Sequence, residues 1–175
     1  DIIVYGSLIN TVFVAKSEIK KWPIINKLCT IAKTIFVERN NIRSLRNQIS
    51  LIEKSLQKGS NVLFFPEGTS SDGSNVLRFK SSLFSIIETK KLGDFYIQPV
   101  SLSYNKLDGL PLNKFYRPFL AWFGGMDLFS HLWKFLGLGA SEVKVNFHKA
   151  KKFSSFSNRK DACFFCYEKI SEQLN

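Results

Sequence analysis

Acidic residues are scarce in this chain. Asp and Glu number 14 against 25 Lys and Arg in 175 residues, a formal net charge of +11. An anionic partner is therefore expected: nucleic acid, acidic lipid or a phosphorylated small molecule. Long apolar runs are missing too. The richest stretch, FYRPFLAWFGGMDLFSHLWKFLGLG over residues 115–139, is interrupted by Arg117, Asp127, His131 and Lys134. That excludes the run of roughly 20 uncharged apolar residues that a spanning helix needs. Cysteine is limited to Cys29, Cys163 and Cys166, which excludes a dense disulfide framework and fits a reducing compartment. Cys163 and Cys166 form a C-x-x-C inside DACFFCYEKI, a segment that reads as a helix. Without a second ligand pair nearby, buried thiols are expected there rather than a zinc or redox site. Neither an internal repeat nor a low-complexity linker interrupts the chain, so residues 1–175 are read as a single domain. The chain begins at Asp1 without Met or signal peptide and enters the apolar run DIIVYGSL at once. It is expected to be a piece of a longer protein, cut at its amino end.

What is present is a hydrophobic content of 45%, enough for a substantial core. TVFVAK (11–16), IFVER (35–39), the continuous apolar run NVLFFP (61–66) and FYIQPVSLSY (95–104) read as strands, with Pro99 marking a bulge or a sheet edge. Helical stretches alternate with them: SEIKKWPIINKLCTIAKT with a break near Pro23, NIRSLRNQISLIEKSLQKG ended by Gly59, and VLRFKSSLFSIIETKK. In the second of these, Ile42, Leu45, Ile49, Ile52 and Leu56 recur at helical spacing. Strand and helix in alternation predict an α/β fold with a mostly parallel central sheet flanked by helices. After a loop around DGLPLNKF come a helix DLFSHLWKFLG, an alternating strand EVKVNFHKA and a closing helix KDACFFCYEKISEQL.

In such sheets ligands sit beyond the carboxyl ends of strands. FFPEGTSSDGSNVLRFK (64–80) is one such end. Pro66 stops the strand, Gly68 permits a positive φ, and Thr69, Ser70 and Ser71 offer hydroxyls and backbone N–H groups. The phosphate loop G-x-x-x-x-G-K-[ST] is absent, and a carboxylate beside the first glycine repels phosphate. Glu67 is read as an acceptor for a ligand hydroxyl or for backbone N–H groups that shape the loop; the plainer alternative is a cap on the next element. Lys16 and Arg39 end the two preceding strands. Arg39 offers a planar fork to phosphate, or an ion pair to Glu38 or Glu67. On a parallel sheet Lys16, Arg39 and Glu67 would share one rim. Arg78 and Lys80 beyond the loop are either further anion ligands or a solvated helix face.

These blocks together resemble the glycerolipid acyltransferases of the lysophosphatidic acid acyltransferase family. FFPEGTSSDGS is similar to their F-P-E-G-T block, IFVERNN to their block ending in an acidic residue and arginine, and YIQPVSLSY to their late block around a proline. The resemblance implies a glycerol-3-phosphate acyltransferase-like fold. It also implies transfer of a fatty acyl group from acyl-CoA or acyl carrier protein to the free hydroxyl of lysophosphatidate, giving phosphatidate. The thioester is already activated, so neither a metal nor a cofactor is implied. The family's general base is the histidine of H-x-x-x-x-D, held in the right tautomer by the aspartate. Asp1 matches that aspartate, and the histidine falls outside this sequence, so these 175 residues alone are expected to be inactive while the full-length protein is active. His131 and His148 match no catalytic block and are read as structural or interfacial.

By the same resemblance Glu67, Gly68 and Thr69 shape the acceptor pocket, and cations from Lys16, Arg39, Arg78 and Lys80 neutralise the acceptor phosphate. Ser70 stands where many members carry arginine, so the missing cation must come from these. The partners implied are membrane lipid and an acyl thioester, at the cytoplasmic face of a membrane, with any anchor in the missing amino-terminal part. Lys20, Lys21, Trp22 and Lys27 form one candidate membrane patch; Trp122, Phe123, Phe129, Trp133 and Phe135 form another, unless those aromatics are packed core. Two alternatives of other classes are a non-catalytic lipid-binding module and a nucleic-acid-binding module. Against the latter, RNP, zinc-finger and helix-turn-helix patterns are absent, so nucleic acid is not expected.

Overall fold

The computed structural model describes residues 1–17, 26–27, 29–30, 34–37, 42–88 and 94–174. Two compact units emerge from the packing of the chain, Asp1–Phe65 with Ser85–Gly93, and Pro66–Phe84 with Asp94–Asn175.

The first unit is a parallel sheet. Strands β1 (Thr11–Lys16), β2 (Ile35–Val37) and β3 (Asn61–Phe64) lie in the order β2-β1-β3 with β1 central. Lys16 stands opposite Val37 and Val14 opposite Phe64, so all three carboxyl ends lie along one edge. Helix α1 (Ile2–Leu8) precedes the sheet with Asp1 at its N-cap position. It was not foreseen in the apolar run DIIVYGSL, which is too short to show a helical period. Tyr5 of α1 is buried and its ring lies 6.1 Å from that of Phe65. Helix α2 (Ile42–Gln57) packs on β2 and β3. Of its predicted apolar stripe, Ile52 is fully buried and Ile49 and Leu56 half-buried. Gly59 then turns the chain at φ 77°. Asn26, Lys27, Cys29 and Thr30 are helical as expected; the break near Pro23 lies outside the described residues.

The second unit is antiparallel. The expected strand 95–104 divides at Pro99 into β4 (Tyr96–Ile97) and β5 (Val100–Leu107), which belong to different sheets. The buried Pro99 has no N–H for a ladder, and its carbonyl accepts from His148 N at 3.0 Å instead. β5 turns at Asp108 and Gly109, both at positive φ, into β6 (Leu110–Pro111), and pairs on its other side with β7 (Ser141–Phe147). Consecutive positive φ values make the tight hairpin that D-G favours, so the stretch read as a loop is a hairpin. β4 pairs with β8 (Lys151–Lys152). Helix α3 (Leu128–Leu136) starts at Asp127, whose Oδ2 accepts from Ser130 N at 2.8 Å, and ends at Gly137. Helix α4 (Arg159–Leu174) lies on β5 and buries Ala162, Cys163, Phe165 and Cys166. The fold is α/β with a parallel sheet, as expected, and its later strands form antiparallel sheets that strand and helix alternation did not foretell.

One predicted helix is absent over its first turns. Residues 76–80 have no regular structure, and among the described residues only the 3-10 turn Ser81–Ile86 follows. Two backbone N–H groups explain this. Leu77 N donates to the Glu67 carboxylate and Lys80 N to the Pro66 carbonyl, which ties both to the preceding loop instead of to a helical ladder.

Candidate functional site

Those two hydrogen bonds build the site. β3 delivers Phe64 and Phe65, and Pro66 cannot continue a ladder. At the neck, the Pro66 carbonyl accepts from Lys80 N at 2.9 Å and Glu67 Oε2 accepts from Leu77 N at 3.1 Å. The intervening residues are thereby closed into a compact loop. Gly68, buried at φ 71°, makes its first bend, a conformation costly for any residue with a Cβ. Inside the loop Ser71 Oγ accepts from Gly73 N at 3.4 Å and Asp72 Oδ1 from Ser74 N at 2.9 Å. Gly73 holds φ 75°, and the far side of the loop there faces Arg117 and Ala121, 3.7 and 3.9 Å from where a Cβ would stand. Phe79 packs edge-on against Tyr167 of α4, with ring centroids 5.4 Å apart.

Glu67 is half-buried. Desolvation raises its carboxyl above the usual carboxylate range, and the Leu77 N–H partly opposes that. Its Oε2 is committed to the backbone; among the described residues its Oε1 accepts no hydrogen bond. Of the readings open from the sequence, the backbone-shaping one is realised at Oε2. Thr69 and Ser70 expose their hydroxyls at the loop tip, where Asp72 supplies the charge. Arg78 and Lys80 are exposed beside the neck on irregular backbone, so the solvated-helix reading of that pair does not apply.

The remaining predicted residues belong to the first unit. Asp1 is exposed and makes no side-chain cap on α1, although its carbonyl accepts from Tyr5 N at 3.0 Å. Lys16 closes β1 opposite Val37. Arg39 and Glu38 lie outside the described residues, as do Lys20, Lys21 and Trp22 of the first candidate membrane patch.

Neither histidine hydrogen-bonds a carboxylate among the described residues. His148 Nε2 lies 3.1 Å from Ser101 Oγ, which donates at 2.9 Å to Gln173 Oε1, an oxygen that also accepts from the Asn146 side-chain amide. Because the Ser101 hydroxyl gives its proton to Gln173, it receives one from His148, which fixes the neutral ring with its proton on Nε2. Burial and then Lys169 lower the His148 pKa, while Glu172 partly restores it. His131 stacks on Phe135 with centroids 6.5 Å apart. Cys163 and Cys166 are buried as expected, and burial, with Cys163 adjacent, pushes the Cys166 thiol up to about 12. What sequence reading missed was the clamp at the loop neck and the Arg117 backing behind Gly73. Both join residues far apart in the chain without a local pattern.

The general acyltransferase family model matches residues 1–103, which takes in Asp1, the parallel sheet and the whole clamped loop. The chain belongs to the acyltransferase family. Among curated relatives, the lyso-ornithine lipid O-acyltransferase of Rhizobium meliloti (strain 1021) is 37% identical over 100% of this chain and 61% of its own length. The 1-acyl-sn-glycerol-3-phosphate acyltransferase of Neisseria gonorrhoeae is 33% identical over 84% of this chain and 54% of its own length. Among solved structures, the 1-acyl-sn-glycerophosphate (LPA) acyltransferase PlsC from Thermotoga maritima shares the fold. It matches with a TM-score of 0.58 over 98% of this chain and 58% of that one, at 20% identity. This acyltransferase chain thus spans less than two thirds of the length of each of these relatives.

Proposed function

We propose that the protein bearing this chain transfers a fatty acyl group from an acyl thioester, acyl-CoA or acyl carrier protein, to the free hydroxyl of a lyso-lipid with an amino-acid headgroup of the ornithine type. The acceptor oxygen bonds to the thioester carbon, the C–S bond breaks, and the thiol leaves with the proton that the hydroxyl gave up. A histidine upstream of Asp1 takes that proton, and the exposed Asp1 carboxylate holds its tautomer. Glu67 Oε1 and the Thr69 and Ser70 hydroxyls bind the acceptor's polar end. The thioester is already activated, so the step needs neither metal nor redox cofactor.

The observation behind the headgroup is the charge of the loop tip. Its acidic side chain is Asp72, and Ser70 stands where, by the family resemblance, many members carry arginine, so the tip suits an ammonium group better than a phosphate. Three relatives named lyso-ornithine lipid O-acyltransferase cover 100%, 91% and 95% of this chain, against 84% for the Neisseria gonorrhoeae glycerol-phosphate enzyme and 78% for a fourth lyso-ornithine lipid O-acyltransferase, from Pseudomonas aeruginosa. Lysophosphatidate is the second reading. It is favoured by Arg78 and Lys80, exposed at the neck where they can meet a phosphate.

Acyl transfer by the intact protein to lyso-ornithine lipid and to lysophosphatidate, side by side, tests both. Preference for the former, with transfer falling at least tenfold in Glu67→Ala and partly restored in Glu67→Gln, is the expected result. A preference for lysophosphatidate that disappears on reversing Arg78 and Lys80 selects the second reading. No transfer to either acceptor with either donor overturns both.

A further inference from the structure

Helix α3, LFSHLWKFL, is amphipathic: Ser130, His131 and Lys134 gather on one side and a broad apolar arc fills the rest, an arc that ordinarily packs on a core. None of its residues is buried. Phe129, Trp133 and Leu136, spaced i, i+4 and i+7 and so on one face, are 46%, 81% and 70% exposed. Leu128, His131, Leu132 and Phe135 are half-buried. A second apolar group precedes the helix on the 3-10 turn Lys114–Phe119, where Phe115 and Phe119 are 78% and 67% exposed. The Tyr116 ring lies 5.5 and 6.2 Å from theirs. Over residues 114–136 the cations are Lys114, Arg117 and Lys134. The only carboxylate in that stretch, Asp127, is held by Ser130 N at the start of α3.

We propose that the Phe129, Trp133 and Leu136 face of α3, with the aromatics of the preceding turn, docks on an anionic lipid bilayer and lies within its interface. Three features select a bilayer. The stretch is cationic and sits in a chain of net charge +11, complementary to acidic headgroups and repulsive towards a second copy of itself. Trp and Phe flanked by Lys suit the headgroup and acyl boundary, where the indole keeps its N–H in the polar zone while its ring leaves water. Among the described residues no helix is long and apolar enough to cross a membrane, so the face would rest in the interface. This deepens the proposed reading and rests on it for the choice of a lipid surface, since a lyso-lipid acceptor resides in one.

The test uses the intact protein carrying Leu136→Cys labelled with an environment-sensitive fluorophore; Cys29, Cys163 and Cys166 are buried in the native chain and are spared. It is mixed with phosphatidylcholine vesicles with and without phosphatidylglycerol. A blue shift with the anionic vesicles, reduced by salt, is expected. Phe129→Ser with Trp133→Ser should weaken vesicle partitioning by about tenfold or more. Turnover of a short-chain, water-soluble lyso-lipid should be unchanged in that variant. The proposal is overturned if the dye keeps its aqueous emission while the protein co-sediments with vesicles. It is equally overturned if the dye is already blue-shifted without lipid: independence of protein concentration would mean cover by another segment, and dependence on it a second copy. A blue shift without acyl transfer to any lyso-lipid would leave docking intact and remove the enzymatic reading, whereas transfer with an aqueous dye would do the reverse.

Discussion

Helices α3 and α4 show that composition does not decide burial. α4, RKDACFFCYEKISEQL, carries six charged residues, yet it buries Ala162, Cys163, Phe165 and Cys166 and fastens its end to the sheet through Gln173. α3 has a single charged residue, Lys134, and buries nothing. The difference is what each helix faces. α4 has β5 beneath it, and its small residues Ala162, Cys163 and Cys166 let the helix approach closely. Phe129, Trp133 and Leu136 of α3 face open solvent among the described residues, so an apolar stripe that would hold a core together elsewhere is exposed here.

The sharpest way to break this comparison is to truncate one large aromatic from each helix. Phe165→Ala should cost about 3 kcal/mol or more in urea unfolding, and Trp133→Ala no more than about 0.5 kcal/mol. Equal losses would mean that α3 is packed after all. A smaller effect is expected at Gly139, between α3 and β7. It holds φ 77°, and a Cβ there would collide with the Asp108 carboxylate, whose Oδ1 accepts from Ala140 N at 2.8 Å. Gly139→Ala should therefore lose about 2 kcal/mol, and a neutral result would show that the hairpin is free to shift. The smallest effect concerns the anchor of α4. Burial lowers the His148 pKa below its ordinary value, so the folded state disfavours the imidazolium. Its contribution is fully present above about pH 6.5 and is lost as the pH falls through the lowered folded value. The urea midpoint should drop between neutral pH and mildly acidic pH by more in the native protein than in His148→Gln. A parallel drop in both would assign the acid sensitivity to other groups.

Much of the fold could be read from the chain. β1, α2, α3, β7 and α4 fall where apolar patterning puts them and β3 where a continuous apolar run does, because each is long or apolar enough for its pattern to outweigh its neighbours. Other features resisted, among them the division of the expected 95–104 strand at Pro99. Helix α1 is a short run without visible period, and the hairpin at Asp108 and Gly109 announced itself only through a D-G pair inside an apparently irregular stretch. Residues 76–80 have helical composition, but the Leu77 and Lys80 N–H groups are taken by Glu67 and Pro66, a competition between distant partners that no local propensity records.

The candidate site divides along the same line. FFPEGT, the positive φ of Gly68 and the polar tip of the loop follow from the kinds of residue present, since proline, glycine and hydroxyl side chains impose their own backbone and hydrogen-bonding limits. Which oxygen of Glu67 is committed, how the loop is clamped, what backs Gly73 and which aromatics stay in water depend on where distant segments come to lie. Side-chain chemistry is local and can be read in order along the chain. Desolvation and hydrogen-bond pairing depend on neighbours that only the folded chain supplies.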